Sequence, residues 1–197
     1  MNKKKLSVEK LFIISILVLL IILLIIFNQT INEMPKYPRQ DYKHWIDQDH
    51  DCQNTRQEVL IAQSIIPVQL NFKGCKVVEG KWFDPYTNQY FTDPEELDID
   101  HFIPLKEVHL SGGYQWSKIK KQQYANDLKN PYTLIAVSRK ANRSKGDKDI
   151  ANWLPSNQEF FCEYLSRWIL LKKQWQLSID KNEEIFINQN LKRCQNN

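Results

Sequence analysis

Residues 11–27 read LFIISILVLLIILLIIF, 17 consecutive apolar or small positions without a charge, behind Lys3, Lys4, Lys5 and Lys10. A helix apolar on all sides does not lie on the surface of a soluble core, so the pattern predicts an export segment. Two forms of it remain open. The run is at the short end for a spanning helix and long for the apolar part of a cleaved signal peptide. No small-x-small cleavage site follows in Asn28-Gln29-Thr30-Ile31. That favours an uncleaved anchor, with the lysines cytoplasmic and the remainder outside.

Beyond residues 1–28 the pattern is that of a globular chain. Residues 29–41 are polar and carry Pro35 and Pro38, which predicts an exposed linker, and one domain is expected over 42–197. Residues 55–65 (TRQEVLIAQSI) place Val59, Leu60 and Ile65 at helical spacing behind Thr55, with Glu58 completing a capping box. From Cys75, CKVVEGKWFDPYTNQYF is β-branched and aromatic and is broken at Gly80, Asp84-Pro85 and Thr87-Asn88, which predicts a β-hairpin.

Residues 97–103 alternate, with 97, 99 and 103 on one side of a strand and Asp98 and Asp100 on the other. A longer excursion over 105–128 follows, with Ser111-Gly112-Gly113 as a breaker and a helix over 117–128. Residues 133–137 predict a second strand, after which Ser138 caps a helix through Lys145 that Gly146 ends. Helices over 158–177 and 183–194 close the chain. The fold class is therefore α+β, with strand, insertion, strand and helix at its centre.

Formal net charge is +4, but residues 1–28 hold four lysines and Glu9, so +3 of it belongs to the apolar segment and +1 to the rest. Overall basicity thus says little about partners. Clustering says more: Arg139, Lys140, Arg143, Lys145 and Lys148 fall within ten residues, near only Asp147 and Asp149. Such a patch can hold phosphates, and it can equally be a solvated face. The four cysteines, Cys52, Cys75, Cys162 and Cys194, all follow the apolar run. Outside the cytoplasm an even number suggests two disulfides, and pairing within each flank gives Cys52–Cys75 and Cys162–Cys194. A four-thiolate zinc site is the weaker reading, because no C-x-x-C pair exists.

The chemistry centres on Asp100-His101, shortly before Pro104. A carboxylate can hold a hard divalent cation while an imidazole takes a proton from water. Strand neighbours face opposite ways, so both serve one site only where the strand ends. Asn142 sits near the start of the helix after the second strand, where its amide oxygen can be a second ligand. Arg143 and Lys145, with the N–H groups of the helix start, attract phosphate. Each has an ordinary reading too, a solvated pair for the first and a cap for Asn142. If the strands are antiparallel, the two elements meet at one edge. His109 is a candidate for the site or for a phosphate contact, whereas His44 and His50 read as surface groups. Arg56 either binds phosphate or anchors its helix, and Trp82, Trp116, Trp153, Trp168 and Trp175 read as core.

Taken in order, DIDHFIPL, YANDLKN and ANRSKGDKDIANWLP resemble the HNH endonucleases. They are most similar to the exported branch whose nuclease domain is like that of GmrSD-type modification-dependent restriction enzymes. The resemblance is dense over 97–155 and looser at CQNTR, GKW and Cys194. It implies a ββα-metal core with flanking helices and a small hairpin. It also implies Asp100 and Asn142 as ligands of one divalent ion, His101 as general base, and Asn130 as the middle Asn that supports the loop and positions the base. Some members bind metal through two or three histidines, but here Asp and Asn stand in the ligand positions. Oxygen donors favour Mg²⁺, with Mn²⁺ or another transition metal as the alternative, over Zn²⁺. The implied activity is hydrolysis of DNA, or of RNA, outside the cytoplasmic membrane, by a monomer without a small-molecule cofactor. The alternative is a non-catalytic nucleic-acid-binding module on the same scaffold.

Overall fold

The apolar run folds as helix α1, Val8–Asn32, in a computed structural model that describes residues 8–32 and 36–195. Its apolar side chains between Phe12 and Ile25 all face outward. Among the described residues no helix is long and apolar enough to cross a membrane. The lysine-rich start (1–7) and positions 33–35 of the expected linker lie outside the described residues. Met1–Lys36 forms one unit of the chain and Tyr37–Asn197 the other.

In the second unit α2, Thr55–Gln63, starts one residue earlier than its predicted cap allows. Asn54 is the cap, accepting from the Gln57 N–H, while Thr55 is buried and donates to Ile46 O and Asn126 Oδ1. The predicted hairpin is two ladders. Strand β1, Gln69–Leu70, pairs antiparallel with β2, Val77–Glu79, whereas β3, Trp82–Asp84, pairs with β4, Gln89–Phe91. The division falls at Gly80, where the backbone passes so close to the Trp82 ring that a Cβ would sit 2.4 Å from it.

The central ladder is β5, Leu97–His101, followed by α3, Leu105–Leu110, and α4, Lys118–Ala125. The chain returns as β6, Leu134–Ser138, antiparallel to β5 with Leu97 opposite Ser138 and His101 opposite Leu134. Ser138 caps α5, Arg139–Lys145, which packs on both strands and ends at Gly146, φ 58°. Helices α6, Phe161–Gln174, and α7, Lys181–Gln195, complete the fold.

Strand alternation gives the ladder two different faces. Leu97, Ile99, Leu134 and Ala136 join Val59, Leu60 and Trp82 in one cluster. Ile135 and Val137 join the larger one, built with Tyr86, Phe102, Tyr164 and Trp168. Ile103, expected beside residues 97 and 99, lies in this second cluster because the strand stops at His101. Buried Lys172 of α6 ties the helices together, donating to Glu107 of α3 at 2.5 Å and to Glu183 of α7 at 2.9 Å.

Both disulfides form as paired from the sequence, Cys52–Cys75 and Cys162–Cys194. They close loops with separations of 23 and 32 residues. Reduction is therefore expected to lower stability by about 3 to 4 kcal/mol for each bond. Urea denaturation with and without reductant measures this, and coincident midpoints would mean that the bridges constrain nothing.

Candidate active site

The end of β5 and the start of α5 build the site. Asn142 is the fourth residue of α5, and its Nδ2 donates to Asp98 Oδ2 across 3.2 Å. Arg139 and Arg143 approach the same carboxylate at 3.7 and 4.0 Å. Asp100, two residues along the same strand face, is buried. Its Oδ2 accepts from the Tyr86 hydroxyl at 2.8 Å and from Lys145 Nζ at 2.5 Å. Burial pushes the Asp100 carboxyl up, opposed by the Lys145 charge, and pushes the Lys145 amine down, opposed by Asp100. Each ion is thus the main compensation for the other.

His101 is the last residue of β5, and it lines the same cleft as its neighbour Asp100. Its Nε2 faces the Ala125 carbonyl at 3.0 Å, so Nε2 carries the proton and donates. The neutral ring then offers an acceptor lone pair at Nδ1. Trp45 stacks on the ring at 5.5 Å and Tyr124 lies nearly parallel to it at 6.3 Å. His44 meets it edge-on at 5.9 Å. Burial lowers the His101 pKa to about 3, opposed by the hydrogen bond to Ala125, so the ring is neutral at ordinary pH.

Asp98, Asp100, His101 and Asn142 line one cleft of about 870 Å³, together with Arg39, Arg56, Arg139 and Arg143. A neutral imidazole, two carboxylates and an amide beside four guanidinium groups can move a proton and hold phosphate. The Arg143 side chain is 71% exposed and that of Arg139 43%.

Several expected residues are placed differently. Lys145, read as a phosphate contact, is wholly buried on Asp100 and also donates to His101 O at 2.9 Å. The buried carboxylate draws it inward, away from the cleft. His44 is a wall of the cleft and no loose surface group. His109 is buried beside Tyr42, with its Nδ1 3.3 Å from the Tyr42 hydroxyl, and does not line the cleft. Arg56 anchors α2, donating to Pro94 O and Leu97 O, and lines the cleft as well.

Asn130 lies outside the cleft and shapes the turn into β6. Its Oδ1 accepts from the Tyr132 N–H at 2.9 Å and its Nδ2 donates to Gln174 at 2.6 Å. The turn reaches His101 through Thr133, whose carbonyl accepts from the Phe102 N–H.

Sequence reasoning missed Tyr86 and Trp45. Tyr86 sits in a segment whose Asp-Pro and Thr-Asn pairs signal only a turn, and its partner Asp100 comes 14 residues later. Trp45 has a φ of 58°, and nothing in the local pattern signals that it stacks on His101.

Residues 63–187 match the family described as GmrSD restriction endonucleases, C-terminal domain. An uncharacterized secreted protein of Arthroderma benhamiae is 36% identical over 158 residues, covering 80% of this chain and 76% of that protein. No solved structure matches the chain.

Proposed function

Because the chain belongs to the family of GmrSD restriction endonuclease C-terminal domains, we propose that it is an exported, metal-dependent HNH-type endonuclease acting on DNA outside the cytoplasmic membrane. Convergence of Asp100, His101 and Asn142 on one arginine-rimmed cleft, across about forty residues of sequence, carries this reading. The nuclease domain is residues 42–197 with its core at 97–155, behind a linker at 29–41. Two disulfides and the secreted relative support export. Membrane tethering through residues 1–28 rests on the 17-residue apolar run.

The donor set suits a hard ion. Asp100 and Asn142 offer oxygen, and no thiolate or second imidazole is needed. Both hydrogen bonds to Asp100 fall on Oδ2, which leaves Oδ1 for the ion. The Asn142 amide donates through Nδ2 to Asp98, which leaves its Oδ1 free to ligate. Mg²⁺ or Mn²⁺ there supplies charge neutralisation at the scissile phosphate.

The rest is the work of the chain's own groups. His101 Nδ1 accepts the proton of the attacking water while Ala125 O holds Nε2–H, and Trp45 and Tyr124 fix the ring plane. Arg139 and Arg143 attract phosphate, and Asn130 steadies the turn beside His101. The protein acts as a monomer without a small-molecule cofactor.

Incubation of the full chain with plasmid DNA, and separately with RNA, under Mg²⁺, Mn²⁺ or EDTA tests this. Cleavage is expected with either ion and none in EDTA, leaving 5′ phosphate and 3′ hydroxyl ends. Binding without cutting would support the nucleic-acid-binding module instead.

A further inference from the structure

Just after Trp45 the chain reads Asp47-Gln48-Asp49-His50-Asp51-Cys52, and Glu58 comes six residues after Cys52. Carboxylates at positions 1, 3, 5 and 12 of one stretch are the spacing with which an EF-hand loop surrounds Ca²⁺. These side chains converge in space. One carboxylate oxygen from each of Asp47, Asp49 and Asp51 lies within 4.8 Å of the other two. Glu58 stands at the twelfth position of this stretch, in the first turn of α2.

A separate observation points to a cation. The two oxygens of Asp47 have different surroundings: Oδ2 accepts from the Cys52 N–H at 3.0 Å, while Oδ1 is closed off from solvent and meets no donor among the described residues. A carboxylate oxygen shielded in this way is costly unless something compensates it. Among the described residues none of the four acids lies in an ion pair with a lysine or arginine, so none of these residues supplies that compensation. Cys52, at the sixth position, takes φ 73°, the conformation for which an EF-hand loop uses glycine.

We propose that residues 47–58 form a Ca²⁺-binding loop, separate from the catalytic cleft, with Asp47, Asp49, Asp51 and Glu58 as its carboxylate ligands. Several carboxylates on an irregular loop suit the large, flexible coordination of Ca²⁺ better than the strict octahedron of Mg²⁺. The loop is joined to the cleft wall. Trp45, two residues ahead of it, stacks on His101, and Ile46 is tied to Thr55 and Asn126. The bound ion steadies the Trp45 wall and takes no part in bond cleavage. This site does not depend on the nuclease reading.

The test uses the full oxidised chain, with Ca²⁺ binding followed by calorimetry and thermal unfolding followed in equal CaCl₂ or MgCl₂. The midpoint is expected to rise with Ca²⁺, with an affinity on the order of 10⁻⁴ to 10⁻³ M, the range of extracellular modules of this kind. The shift should vanish in Asp49→Asn/Asp51→Asn. Glu58→Gln, which alters no bulk, should weaken binding about tenfold or more by removing one ligand charge. Asp100→Asn/Asn142→Ala, which lacks the catalytic ligands, should keep the full Ca²⁺ shift. The site is overturned by an equal shift with Mg²⁺, by a Ca²⁺ shift surviving Asp49→Asn/Asp51→Asn, by its loss in the Asp100/Asn142 variant, or by no calorimetric binding up to about 10 mM, ten times the weakest affinity in that range.

Discussion

Replacing His101 by Ala is expected to slow DNA cleavage by on the order of 10² to 10⁴, the usual share of a general base, while Mg²⁺ affinity and the fold persist. Among the described residues the ring's one hydrogen bond from nitrogen runs from Nε2 to Ala125 O. Asp100 is held independently by Tyr86 and Lys145, and Asn142 by Asp98. Removing the imidazole therefore leaves the ligand oxygens where they are. It also leaves the arginines that attract phosphate, so the loss should fall on kcat with KM little changed. Plasmid-cleavage kinetics give the rate, calorimetry gives the Mg²⁺ affinity, and circular dichroism checks the fold. A variant with wild-type kcat would remove His101 as the base, and one that lost Mg²⁺ binding would make it a ligand instead.

What could be read from the sequence was local. Ser138 ahead of α5, Gly146 behind it and the alternation of residues 97–101 each depend on neighbours a few positions away, and each appears as expected. Pairing of Cys52 with Cys75 followed from proximity along the chain. What stayed hidden depends on distant partners. Thr55 looks like a cap, but its hydroxyl is claimed by Asn126, 71 residues on, so Asn54 caps instead. Lys145 looks like one more cation of a basic patch, yet burial of Asp100, 45 residues earlier, decides its place. Trp45 and His44 lie between α1 and α2, in a stretch with no periodicity, so their packing on His101 has no local signature. The helix α3 went unread because Ser111-Gly112-Gly113 ends it after six residues, too short for a periodic pattern to register.

Lys145→Met is expected to destabilise the protein by about 3 to 5 kcal/mol, the cost of leaving one member of a buried ion pair alone. Lys145 has no exposed side-chain surface and Asp100 only 6%, so little water can replace the lost ammonium. Tyr86 remains as a single neutral donor to Oδ2, and the His101 carbonyl loses its partner at 2.9 Å. Methionine keeps the length and apolar stem of lysine, which separates the charge effect from a cavity effect. Adding Asp100→Asn removes the stranded charge, so the double variant should regain part of the stability while staying inactive for want of the ligand carboxylate. That coupling, read from urea denaturation of the two single variants and the double, isolates the pair from everything else around it. Additive losses, or a Lys145→Met penalty below about 1 kcal/mol, would mean that Lys145 is not what makes the burial of Asp100 tolerable. A large coupling would identify a buried cation as the fixed counter-charge that holds Asp100 in the cleft wall, with one oxygen turned to the lysine and the other left for the metal.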